Sequence, residues 1–126
     1  MMKTILSSAI AILVPILLAW LGLSRALGAH PFWEVQTIAI GAPIGVLLIL
    51  GAQMAGIGQK WLIIAAVILL IAAISVATYG KMVFVAAYGD DRFAGQLWYF
   101  GWIAVGAFST ATLFALAPRK EPRQSP

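Results

Sequence analysis

Lys81 is the one basic residue with apolar sequence on both sides, between Thr78-Tyr79-Gly80 and Met82-Val83-Phe84. If the flanking sequence is one helix inside a bilayer, continuing to Ala87, the ammonium lies about 10 Å below the helix end. A charge at that depth is costly and marks a functional site by default. Its chemistry would be attraction of an anion. Its ordinary role is to run its stem to the headgroups or to pair with an acid. Glu34, Asp90 and Asp91 are the candidate partners.

His30, Glu34, Asp90 and Asp91 fall in connections on one side of the chain and offer one imidazole and three carboxylates. That is a permissible set for a divalent metal. Their spacing follows no ligand pattern, so a solvated or salt-bridged cap with Arg25 and Arg92 is expected instead, and no metal. His30 alone could ligate a haem or chlorophyll-type pigment; bis-imidazole haem would need a second histidine from another chain. Phe93, Trp98, Tyr99, Phe100 and Trp102 form an aromatic patch in which Trp98 and Trp102 share a helix face. A quinone, carotenoid or lipid could stack there. The belt of amphipathic rings at a membrane interface explains the same residues without a ligand.

Gly41-Ala42-Pro43-Ile44-Gly45 is the sharpest local feature. Gly41 and Gly45 lie on one helix face and let another helix approach closely. Pro43 lacks an N–H and frees the carbonyl of Ala39. A hinge or substrate-lining break is the functional reading; a packing notch with a static bend is the structural one, and is preferred. Pro15 stands at comparable depth in the first apolar stretch, which admits a shared cavity. Ala73 and Ala77 form a second helix-packing pair. Ser75, Thr78, Tyr79, Ser109, Thr110 and Thr112 need no partner where a hydroxyl bonds back to its own helix. Gln53 is expected to bond across helices.

The elements that position these residues are four apolar stretches, over about 5–23, 35–56, 61–87 and 97–117. A hydrocarbon core of about 30 Å needs about 20 helical residues, and each stretch meets that length. The chain is 63% hydrophobic and 10% charged, against about 25% charged in soluble domains. The connections are short, so the expected fold class is an all-α membrane protein, an antiparallel four-helix transmembrane bundle. The first stretch is read as a retained span, since its apolar run exceeds the roughly 7–15 residues of a signal peptide. Residues 118–126, charged and with three prolines, are read as a disordered cytoplasmic tail.

Orientation follows the basic residues. Lys3, Lys60, Arg119, Lys120 and Arg123 fall on one side, and Arg25, Lys81 and Arg92 on the other. Both termini are therefore expected in the cytoplasm, in a multi-pass protein of the bacterial inner membrane. Trp20, Trp33, Trp98, Tyr99 and Trp102 then fall near the outer interface and Trp61 near the inner one.

Several chemistries are excluded. The chain has no cysteine, hence no disulfide, thiolate nucleophile or Cys-ligated metal, and no quinone–disulfide redox chemistry. None of the apolar stretches carries the in-span carboxylate on which small multidrug-resistance transporters rely, and the chain lacks the asparagine of small fluoride channels. No in-span histidine could serve an intramembrane Ser–His protease. The strings Gly45-Val-Leu-Leu-Ile-Leu-Gly51 and Gly22-Leu-Ser-Arg25 resemble DoxX-like four-span proteins; no family is assigned from them and no site residue is carried over. The expected function is that of a non-catalytic integral membrane protein, a packing or accessory subunit that associates with other membrane helices, as a homo-oligomer or in a larger complex. The alternative is a small transporter or channel for a small anionic or apolar solute, with Lys81 and the Pro43 kink lining the path. No cofactor and no nucleic-acid partner are expected.

Overall fold

A computed structural model describes residues 2–117. The tail, residues 118–126, lies outside the described residues, as do three of the basic residues used above for orientation. The described chain is helical throughout: α1 (Met2–Trp20), a single turn α2 (Leu23–Ala26), α3 (Glu34–Met54), α4 (Gln59–Ala86) and α5 (Arg92–Leu116). Four of these helices are long and apolar enough to cross a membrane.

The helix ends have local causes. Gly22, at φ +98°, stops α1 short of the expected residue 23, and the chain re-enters helix as α2. Gly28 and Gly56 take left-handed φ of +118° and +88°. Each is followed by a residue whose N–H reaches five residues back, Ala29 to Ser24 O and Ile57 to Ala52 O. This is the Schellman closure, in which glycine avoids the Cβ penalty. α5 starts five residues before the expected 97, because the Asp91 carboxylate accepts from Ala94 N at 3.0 Å and caps a polar first turn.

α5 is the central helix, with eleven buried residues against three in α1. It lies between α3 and α4, which share no extended contact although consecutive in sequence. Glycines set both seams. A Cβ on Gly41 would overlap the Ile103 carbonyl oxygen, and one on Gly45 that of Ala107. On the other side, a Cβ on Gly80 would stand 2.6 Å from Trp98 N, and one on Gly101 2.8 Å from Ala77 Cα. α3 runs parallel to α5, since Gly41 meets Ile103 and Gly45 meets Ala107. α4 runs antiparallel to α5: Gln59 Nε2 donates to Ala115 O at 3.0 Å, while Gly80 meets Ala94 and Trp98. α1 touches α3 and α5 but has no extended contact with α4. It is held by one stripe at four-residue spacing, Ala11, Pro15 and Ala19.

Candidate functional site

The gap between α1 and α4 is a lateral cleft with α5 as its floor. Its deeper part, about 260 Å³, is lined by Pro15 and Leu18 of α1, Leu70 of α4, and Trp102, Ser109 and Leu113 of α5, among others. Its wider part, about 470 Å³, lies toward the far end of α4, between Leu27 and Gly28 on one wall and Thr78, Lys81 and Met82 on the other. The two parts share Leu27 and Trp102. The cleft is therefore one apolar groove with a single charged side chain at its wider end.

Lys81 is half-buried there. A Cβ on Gly28 would lie 3.6 Å from its Cδ and 3.7 Å from its Nζ. Its backbone is fixed by the neighbouring Gly80 seam. Among the described residues the ammonium has no ion pair and no hydrogen bond. The acids proposed as its partners are elsewhere. Glu34, buried, is held by Arg25 through Nη2 to Oε1 at 2.8 Å and Nε to Oε2 at 3.2 Å. Asp91 caps α5. Asp90 lines a separate cavity with Arg92 and Tyr99, on another side of α4. The expected acid–arginine cap thus forms with Arg25, and Lys81 has no part in it.

Trp98 and Trp102 are corrected from an interfacial belt to the interior, at 7% and 3% exposure. α5 is central, so its first turns are covered by the α1–α3 connection. The Trp98 indole N–H donates to Gly28 O at 2.9 Å, tying that connection to α5. His30 stacks on Trp33 at 5.0 Å and meets Trp98 edge-on at 5.3 Å. Its Nδ1 accepts from Phe32 N at 3.1 Å. It caps an aromatic cluster, and among the described residues no group of three His, Cys, Asp or Glu side chains is placed to hold a metal. Tyr99 accepts from Gln36 at 3.1 Å. Phe93 and Phe100 remain exposed, as do Trp20 and Trp61.

Pro43 and Lys81 are not brought together. Pro43 is on the exposed face of α3 and does not line the cleft, whereas Pro15 does. Gly41 and Gly45 form the expected notch, but this chain's own α5 fills it. Ala73 and Ala77 are buried in the α4 half of the core, with Ala77 against Gly101. The hydroxyls of Ser75 and Thr112 bond back to Ile71 O and Phe108 O as expected. The amides that bond across helices are Gln36 and Gln59, to Tyr99 Oη and Ala115 O, and not Gln53. Gly28 is the residue that sequence reasoning underrated. It marked a turn there; here its carbonyl also anchors Trp98.

No protein-family model, curated protein or solved structure matches the chain.

Proposed function

We propose that the chain is a non-catalytic integral membrane protein that binds an apolar or amphipathic molecule taken sideways from the bilayer into the α1–α4 cleft. In this reading the four long helices are an antiparallel transmembrane bundle with both termini in the cytoplasm. The observation that carries it is the cleft: an apolar groove walled by two helices that do not pack together, with one ammonium at its end. Binding sites of this kind are mostly apolar, with a few polar groups that fix orientation. Lateral entry needs no polar path through the bundle.

Association with other membrane helices, the first expectation from sequence, loses the motive that the Gly41–Gly45 pair gave it. The Gly41–Gly45 notch is occupied within the chain, so a partner helix would meet the exposed aliphatic faces of α1, α3 and α4, which lipid covers equally well.

Native mass spectrometry of the protein in mild detergent tests the proposal. Ser109 lines the deeper cleft, and Ser75 is exposed on α4. The expected result is a bound amphiphile on the wild type and on Ser75→Phe, and its loss from Ser109→Phe. An amphiphile retained by Ser109→Phe, or none on the wild type, would overturn the proposal.

A further inference from the structure

Resting on that reading, we infer that the cleft takes a single-chain anionic amphiphile, its acidic head on the Lys81 ammonium and its tail along Trp102 toward Leu113. Three observations meet here. The first is charge. The described acids are Glu34, Asp90 and Asp91, and each is placed away from Lys81: Glu34 on Arg25, Asp91 on the α5 cap, and Asp90 in the cavity that Arg92 and Tyr99 also line. The half-buried ammonium is therefore open to a counter-charge from outside the protein.

The second is direction. A lysine whose stem snorkels along a helix ends among headgroups. The Lys81 stem has the Gly28 turn beside its end: a Cβ built on Gly28 would stand 3.7 Å from its Nζ, in ordinary contact. Gly28 is held in place by Trp98, so the head site has a fixed far wall.

The third is shape and polarity. From Trp102 to Leu113 the groove follows α5 for about 16 Å, enough for one acyl chain of roughly a dozen carbons. At about 260 Å³ the deeper part is matched here to one chain. Of its hydroxyls, that of Thr112 is already taken up by Phe108 O. The tail end therefore asks for hydrocarbon, and the Lys81 end for an anion.

The test uses the whole chain in nanodiscs of phosphatidylcholine, with quenching of tryptophan fluorescence by brominated chains. The Trp102 component is the saturable quenching lost in Trp102→Phe. The probes are a brominated fatty acid, the fatty alcohol of the same length, and a brominated two-chain phosphatidylglycerol. The expected result is saturable quenching by the acid only, weakened about tenfold or more in Lys81→Met and kept in Lys81→Arg. Equal quenching by acid and alcohol, unchanged in Lys81→Met, would overturn the anionic head while leaving the cleft as a binding site. Equal quenching by the phosphatidylglycerol would overturn the single chain. If no probe gives a Trp102 component, both the inference and the proposed function fall.

Discussion

Replacing Gly45 by alanine separates two uses of the small-residue notch on α3. A Cβ there overlaps the Ala107 carbonyl oxygen and stands 2.9 Å from Ala107 C and 3.0 Å from Ala111 N. All three are backbone atoms, so no side chain can swing aside. α5 cannot retreat either, because its opposite face is closed on α4 through Gly80 and Gly101. The two helices must part, which as overpacking costs about 1–3 kcal/mol, here toward the upper end. Alanine itself favours a helix interior over glycine by about 0.5–1 kcal/mol. The net loss is therefore about 2 kcal/mol. Gly51, on the same helix with nothing within 4 Å of a built Cβ, supplies the control: Gly51→Ala should gain about 0.5–1 kcal/mol. The assay is unfolding in mixed micelles by titration with SDS, read by tryptophan fluorescence, with molecular mass from light scattering. The expected outcome is a stability gap of about 3 kcal/mol between the two variants at unchanged mass. If Gly45→Ala is as stable as Gly51→Ala and only the mass changes, the notch faces another copy, and the central position of α5 is wrong.

Two smaller perturbations probe the polar groups. Arg25 is 59% exposed and Glu34 only 9%, so their bidentate pair is screened on one side and should be worth about 1 kcal/mol. A double-mutant cycle with Arg25→Ala and Glu34→Gln should return that coupling, and additive losses would show that the pair does not hold the α1–α3 connection. Thr110 Oγ1 is buried with no hydrogen-bond partner among the described residues. Thr110→Val should therefore stabilise the protein by about 1 kcal/mol in the same unfolding assay, and a loss of stability would mean that the hydroxyl has found a partner.

The helices were legible because their length and apolarity are local properties of the sequence. Three of the expected stretches coincide closely with α1, α3 and α4, and the early start of α5 traces to the Asp91 cap. What spacing cannot reveal is which helix faces which. Gly41 and Gly45 are correctly small, but four-residue spacing marks a face without naming its partner. Trp98 and Trp102 misled for a related reason. Tryptophan at the head of a span signals an interface when that helix is peripheral, and the same residues become core when it is central. The centrality of α5 depends on contacts between residues some 60 positions apart, such as Gly45 with Ala107. The Arg25–Glu34 pair was legible because opposite charges nine residues apart share one short connection. Gly28 was not, because its carbonyl bond to Trp98 joins residues 70 positions apart.

The cleft itself follows from where the small residues are. Gly41, Gly45 and Gly106 let α3 close on α5, and Ala77, Gly80 and Gly101 let α4 do so, giving a three-helix layer whose backbones nearly touch. α1 has no glycine at all and meets this layer chiefly through Ala11, Pro15 and Ala19, with Ile12 and Ile16 packed beside them. Its leucines, Leu13, Leu17 and Leu18, are exposed. α1 and α4 thus flank the layer without meeting, and the floor between them is the α5 face that bears Trp102 and Ser109. The connection from Leu21 to Trp33 bridges part of this gap, tied at Gly28 to Trp98 and at Arg25 to Glu34. Of the two walls, α4 is locked by backbone contact and α1 is held by a narrow stripe with few buried residues, the condition under which an element opens most readily. The width of the deeper part is therefore set by α1, while the ammonium that would hold a ligand's head is carried on α4 and faces the Leu27–Gly28 turn.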